Sequence, residues 1–340
     1  FMGEISFLNG HQKPTEALTL ATQAQTAAVQ LNYKTGEVKA TALMGVANYK
    51  IDNYENAKSL VSQAIGKAEA NKDSSNLSFS KYWLATIELN HGEYAKALDL
   101  YQNALELAQK INDKKNIARA LDGKGSIYEA LGEEVKATEA YQQSLAIAQE
   151  AGFKEWYPTV NFDLANMAYQ KGQIDDAIAK FNESIEGSVT VGNINNQANC
   201  LQQLAAIYYE RNDSKTAMSY VQQAMELFQQ TGSMSSYSYS RLLMSTILLR
   251  DKEWDVAIEL ATTSLDEGKI KGETQLQKNA AEVLYYAYLG KGDKGRALDY
   301  HVLFHNLSEA NHNEELAKKL TQLELQANFE KERAIEKAKQ

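Results

Sequence analysis

The stretch "GEYAKALDLYQNALELAQ" places apolar residues three and four apart, the spacing of one face of an amphipathic helix, and the same face returns at a fixed interval along the chain. Ala17, Ala57, Ala97, Ala137, Ala177, Ala217, Ala257 and Ala297 form one column. Seven residues further on, Ala24, Ala64, Ala104, Ser144, Ser184, Ala224 and Ser264 form a second small column that ends at Phe304. Leu98, Ile178, Met218, Ile258 and Leu298 sit one residue after the alanine. Ile65, Leu105, Leu145, Ile185, Met225 and Leu265 sit eight after it, completing the face.

The breaks keep the same step. Gly92, Gly132, Gly172 and Gly292 precede the alanine by five residues, and Gly152, Gly192, Gly232 and Gly272 follow it by fifteen. A glycine there supplies the positive φ that closes a helix. Pro14 and Pro158 fall where a helix should begin, the position at which a missing N–H costs least. Each unit therefore reads as helix, turn, helix, turn. The fold class expected is all-α: a solenoid of helix pairs whose neighbours bury one another's apolar faces. The alanine column predicts close approach between helices.

These columns resemble the tetratricopeptide repeat in a long form with extended helices, as in "YWLATIELNHGEYAKALDLYQNALELAQKINDKKN" at 82–116. The preceding helices carry the family's small residue at Gly45, Ala85, Gly125, Ala165, Ala205 and Ser245, usually after Leu or Met; Lys124 and Tyr285 depart from the pattern. The resemblance spans about residues 1–312 and implies a right-handed superhelix of about eight pairs, the first truncated, with a concave groove. Residues 313–340 break the frame, because a ninth unit would need a turn near Glu332 and an alanine where Lys337 stands. One long C-terminal helix is expected there, either capping the array or opening a coiled coil through the weak seams Leu316/Leu323 and Leu320/Ala327/Ala334. That tail, with "FEKE", is similar to the linker leading from repeat arrays to output domains in bacterial signalling proteins.

Composition narrows the partners. A net charge of -9 and a pI near 5.3 argue against nucleic acid or an anionic membrane surface. The apolar runs "LLMSTILL" and "VLYYAYL" are too short to span a bilayer. Cys200 is the sole cysteine, so no internal disulfide forms, and it reads as a small core residue. The compartment stays open, with the cytoplasm favoured over the periplasm.

Catalytic signals are sparse. His301 and His305 lie four apart near Glu309 and His312, but the zinc-protease pattern requires Glu where Val302 stands, and both histidines are expected to contact the terminal helix. "GKGDKG" at 290–295 lacks the spacing of a phosphate loop and follows no strand, so it reads as a turn. No nucleophile, base and orienter share a workable spacing. The expectation is a chain without catalytic residues, bound metal or cofactor.

The repeat resemblance supplies a groove instead. Matching the family's concave positions gives Tyr82, Thr86, Arg119, Asp122, Ser126, Phe162, Asn166, Asn199, Gln202, Tyr239, Asn279, Glu282 and Tyr286. Amides pair with an extended peptide backbone and aromatic faces take its side chains, so a protein or peptide ligand is implied. Arg119 is the one clear cation among them, which disfavours a receptor for a terminal carboxylate. The resemblance implies a sensory or regulatory segment that passes groove occupancy to an output through the C-terminal helix, with a homodimer forming through that helix. The alternatives are a free-standing scaffold and a peptide-responsive regulator like the Rap family.

Overall fold

The computed structural model describes residues 14–310 except Asp52. Among them every regular element is helical. The helices are α1 (Pro14–Gln30), α2 (Lys34–Lys50), α3 (Tyr54–Ala70), α4 (Ser74–Asn90), α5 (Tyr94–Lys110), α6 (Lys114–Ala130) and α7 (Glu134–Glu150). After a short 3-10 turn (Lys154–Trp156) follow α8 (Tyr157–Gln170), α9 (Ile174–Val191), α10 (Ile194–Glu210), α11 (Ser214–Thr231), α12 (Met234–Arg250), α13 (Trp254–Lys271), α14 (Thr274–Gly290) and α15 over 294–310. Even-numbered helices are the first of each pair and odd-numbered helices the second. The fold is the all-α solenoid that the period predicts. The expected helix over 313–340 and the start of the first repeat lie outside the described residues.

The turns show how each repeat is made of two halves. Positive φ occurs at Asn32, Lys72, Asn112, Asn212 and Lys252 as well as at the eight glycines that mark the breaks, and all these positions keep one step, half that of the alanine column. The left-handed residue turns the next N–H back onto the helix it has just left: Asp73 N–H donates to Ala68 O at 2.9 Å, and Asp113 N–H to Ala108 O at 2.9 Å. The residue that carries this N–H then opens the following helix. Asp73, Asp113 and Asp213 accept from the N–H groups of Asn76, Asn116 and Thr216 at 3.1, 3.1 and 3.0 Å. Asparagine tolerates the left-handed region through its short polar side chain, whereas Lys72 and Lys252 stand there against a cost of roughly 1 kcal/mol.

The alanine column is buried throughout, and Ala57, Ala97, Ala137, Ala177, Ala217 and Ala257 are fully enclosed. Four residues after it, Val61, Tyr101, Tyr141, Phe181 and Val221 are buried, and Val61 and Tyr141 press on the small residue of the partner helix. A Cβ on Gly45 would come within 2.5 Å of Val61, and one on Gly125 within 2.6 Å of the Tyr141 ring. The serines of the second small column add a polar clamp: Ser144 Oγ donates to Ala118 O at 2.8 Å and Ser184 Oγ to Pro158 O at 2.6 Å, each from the second helix to the first of its own pair.

The chain divides into two compact units, the first running to Asn196 and the second starting at Gln197. Within the first, Phe79, Ile87, Tyr101, Ile127, Tyr141 and Met167 belong to one core. Within the second, one cluster gathers Leu242, Ala261, Leu265, Leu276 and Leu284, and another gathers Ala205, Ala217, Val221 and Ile247.

Candidate functional site

All thirteen groove positions fall on first helices: α4, α6 and α8 carry seven of them in the first unit, and α10, α12 and α14 carry six in the second. The two sets have different surroundings.

In the second unit, α10, α12 and α14 enclose a cavity of about 440 Å³. Four of the groove residues, Tyr239, Asn279, Glu282 and Tyr286, line it together with Tyr209, Leu242, Leu243, Thr246, Leu249 and Val283. Several of these last follow from the first four by helical spacing: Leu242, Leu243 and Thr246 lie three, four and seven residues after Tyr239. The ring of Tyr286 is half-exposed at the opening, while Leu242 and Val283 are buried at the base. Asn279 Oδ1 accepts from Gln275 Nε2 at 2.7 Å. The Arg250 guanidinium lies 3.5 Å over the Tyr209 ring and donates to the Tyr209 carbonyl, holding that wall in place. Burial pushes the Tyr239 phenol above its usual range, and Glu273 adds to the effect, so Tyr239 stays a neutral hydrogen-bond donor. The wall is aromatic and aliphatic with a single carboxylate, Glu282. Asn199 and Gln202 stand apart from this cavity, and Gln202 Nε2 donates to Ser240 Oγ at 3.0 Å.

In the first unit the groove positions run into the interior. Tyr82, Arg119 and Asp122 are 7%, 4% and 5% exposed; Thr86, Ser126, Phe162 and Asn166 are partly exposed. The Thr86 hydroxyl lies 3.0 Å from that of Tyr101, and the Tyr141 hydroxyl lies 3.3 Å from Ser126 Oγ while donating to Glu129 Oε2 at 2.8 Å. Arg119 donates to Asn116 Oδ1 at 2.8 Å, with its guanidinium 4.7 Å from the Phe153 ring, 5.2 Å from Phe79 and 5.6 Å from Trp156. The Tyr82 ring lies 5.6 Å from Tyr101 and 6.1 Å from Trp156. Burial, with Asp122 nearby, raises the Tyr82 phenol well above its usual range. Phe162 packs edge-on against Phe181 at 5.7 Å.

Asp122 is affected by a residue that the sequence pattern does not single out. Asp122 and Asp163, on α6 and α8, bear on one another electrostatically: burial raises both carboxyl groups, Asp122 to about 7 and Asp163 well above its ordinary value, and Glu129 pushes each further. Asp163 directly follows Phe162, so its side chain leaves the helix in a different direction from the face that carries the groove positions.

Among the described residues no group of three His, Cys, Asp or Glu side chains is placed to hold a metal, and no helix is long and apolar enough to cross a membrane. His301 lies 4.8 Å from the Tyr285 ring and 6.2 Å from His305, and both histidines are exposed. Their expected contact with the terminal helix falls outside the described residues, as does His312. Gly292 forms the turn expected of "GKGDKG", at φ 83°.

A tetratricopeptide-repeat family model matches residues 77–150 and 157–230, and a model of anaphase-promoting complex subunit 5 matches residues 29–91. No curated protein sequence matches the chain. Among solved structures, a Rap protein complexed with competence and sporulation factor is 15% identical with a TM-score of 0.61, covering 97% of this chain and 98% of its own. A plasmid Rap conjugation gene regulator in complex with a Phr peptide is 13% identical with a TM-score of 0.65, covering 84% of this chain and 76% of its own. A signal transduction ATPase with numerous domains and a tetratricopeptide-repeat sensor, from Pyrococcus horikoshii, is 16% identical with a TM-score of 0.60 over 86% of this chain. The chain spans 45% of that protein's length.

Proposed function

Because this chain is a tetratricopeptide-repeat protein, we propose that it is a non-catalytic regulatory module whose second unit binds a peptide or protein segment in the cavity between α10, α12 and α14. The observation that carries the reading is the composition of that cavity. Apolar Leu243, Leu249 and Val283 offer a dry seat for a side chain, while Asn279 and the phenols of Tyr239 and Tyr286 offer hydrogen bonds to an extended backbone. Glu282, the one carboxylate in the lining, favours a ligand that brings a Lys, an Arg or an amino terminus beside its apolar residue.

Two kinds of likeness support a regulatory role. One Rap structure holds competence and sporulation factor and another a Phr peptide, and the Pyrococcus horikoshii ATPase is described with a repeat sensor. The ligand biases the helix pairs only if it favours one of their arrangements over another. Residues 313–340 then carry that bias onward and bring two chains together. A second reading, a free-standing peptide-responsive regulator, draws on the near-complete mutual coverage with the Rap protein.

Fluorescence anisotropy with a pool of labelled hexapeptides, each combining Leu or Phe with a Lys, tests the site. At least one peptide should bind, and Leu243→Lys, which fills the seat and places a cation beside Glu282, should weaken it by at least tenfold, on the order of 1.4 kcal/mol. A peptide that binds Leu243→Lys as tightly as the parent overturns the placement. For the homodimer, light scattering should give a monomer once residues 313–340 are removed; an unchanged mass refutes it.

A further inference from the structure

We propose that the cavity between α10, α12 and α14 recognises a fully methylated ammonium group, the head of a choline-type solute or of a trimethylated lysine side chain. The inference rests on the reading of that cavity as a ligand seat, and it names the cation that the seat selects.

The cavity draws one tyrosine from each of three first helices: Tyr209 from α10, Tyr239 from α12 and Tyr286 from α14. Glu282 stands four residues before Tyr286, so the carboxylate and the ring share one face of α14, with Cβ atoms about 5–6 Å apart. Leu242 and Val283 form the base, and the lining holds no Lys, Arg or His. Lys278, one turn before Glu282, does not line the cavity. A volume of about 440 Å³ falls at the lower end of the range of small-ligand sites.

The chain covers several of its tyrosine rings with cations of its own. Arg241 lies 5.7 Å from the Tyr237 ring centre, Arg296 5.3 Å from Tyr288 and Arg250 3.5 Å from Tyr209. Arg250 also donates to the Tyr209 carbonyl, so one face of that ring is already taken. Among the described residues no Lys or Arg lies over the ring of Tyr239 or Tyr286. These two rings keep the negative potential of their π faces for a cation from outside the chain. Glu282 supplies the formal charge that balances it.

The surroundings then decide which cation. A primary ammonium brings three N–H donors, and each needs an acceptor once water is expelled. The Glu282 carboxylate meets only part of that demand. Asn279 Oδ1 already accepts from Gln275 Nε2 at 2.7 Å, and the Thr246 hydroxyl is bound to the Leu242 carbonyl at 3.0 Å. A guanidinium asks for more, with five donors in a fixed fork. A quaternary ammonium asks for no acceptor at all. Its charge is spread over methyl groups that bury against Leu243 and Val283 and lie on the aromatic faces, so it enters an apolar seat without an unmet donor. A free solute and a peptide side chain present this head group alike.

Isothermal titration calorimetry of the full chain with choline, ethanolamine and 3,3-dimethylbutan-1-ol separates the contributions. Ethanolamine keeps the charge without the methyl groups, and the butanol keeps the shape without the charge. Choline should bind, with each of the other two weaker by about tenfold or more. Glu282→Gln and Tyr239→Leu should each bring choline towards the level of the butanol, while Asn199→Ala, on α10 apart from the cavity, should leave it unchanged. The hexapeptide pool is then resynthesised with trimethyl-lysine in place of lysine. Peptides that bind more tightly than choline and prefer trimethyl-lysine by about tenfold support the proposal with the lysine side chain as the source. Choline that binds at least as tightly as any peptide supports it with the solute as the source, and it is then the peptide reading that fails. Lysine peptides that match their trimethylated forms overturn the choice of cation and leave the peptide seat in place. Ethanolamine that matches choline also overturns it, and silence from every peptide and solute overturns both readings. The comparisons on the parent protein need no variant, so they decide the matter even where Tyr239→Leu does not fold.

Discussion

Replacing Gly123 by alanine sets two effects of known sign against each other. A Cβ at Gly123 would stand 2.1 Å from one ring carbon of Tyr101 and 2.5 Å from two more. Tyr101 is 1% exposed, and its hydroxyl is held 3.0 Å from that of Thr86, so the ring has little room to retreat. Alanine gains about 0.5–1 kcal/mol over glycine inside a helix. Overpacking a filled core costs about 1–3 kcal/mol, and this contact belongs at the upper end. The net expectation is a loss of about 1–2 kcal/mol, seen as a fall of several degrees in thermal midpoint for a unit of this size. Tryptophan fluorescence reports on it, since Trp83 and Trp156 both lie in the first unit. Gly66→Ala is the control: nothing lies within 4 Å of its Cβ, and this change should stabilise. Tyr101→Val places at this position the residue found at the equivalent Val61 and Val221, so the double variant should lose less than the sum of the single changes. A Gly123→Ala protein as stable as Gly66→Ala would refute this account of the contact.

Ser184→Ala removes the donor to Pro158 O at 2.6 Å and the acceptor for Asn196 Nδ2 at 2.8 Å, both buried, and should cost about 1–3 kcal/mol in urea unfolding. Lys252→Gly relieves a side chain at φ 64° and should raise the unfolding midpoint, whereas Lys291→Gly, in the same turn class but at a right-handed residue, should not. Glu88 is 1% exposed and takes Lys96 at 2.6 Å and Lys58 at 3.1 Å. Burial works to raise its carboxyl, but the hydrogen bonds and charges of the two lysines together hold it below the usual range. Its stabilisation is therefore present above the ordinary carboxylate range and lost in acid, so Glu88→Gln should be less stable than the parent at pH 7 and converge with it near pH 3.

The period and the small columns are legible in the sequence because they are local: an alanine recurring once per helix pair and a glycine at each helix end need only helical geometry to interpret. The turns at Lys72 and Lys252 are not, since lysine has no preference for the left-handed region and is placed there by the register of the helices on either side. The hydroxyls of Ser144 and Ser184 read in the sequence as merely small. Their bonds to the partner helix depend on an interhelical distance that no single helix encodes. At the candidate site, Tyr239, Asn279, Glu282 and Tyr286 come from family positions, while Leu242, Leu243 and Val283 on the same faces look like ordinary core. A helix face is apolar whether it is covered by a neighbour or left open beside a cavity, and only the packing separates the two. Asp163 carries no local signal because the carboxyl group that bears on it, Asp122, lies a full repeat away.

The left-handed residues recur on one fixed count, and a counted chain has its own kind of fragility. Deleting one residue within a helix swings everything beyond it by about 100° around the axis, carrying alanines out to water and lysines into the seam. Excising one whole helix pair with its turns returns each face to its former orientation. Such a chain can be shortened or copied in whole measures but does not survive slippage by a single beat.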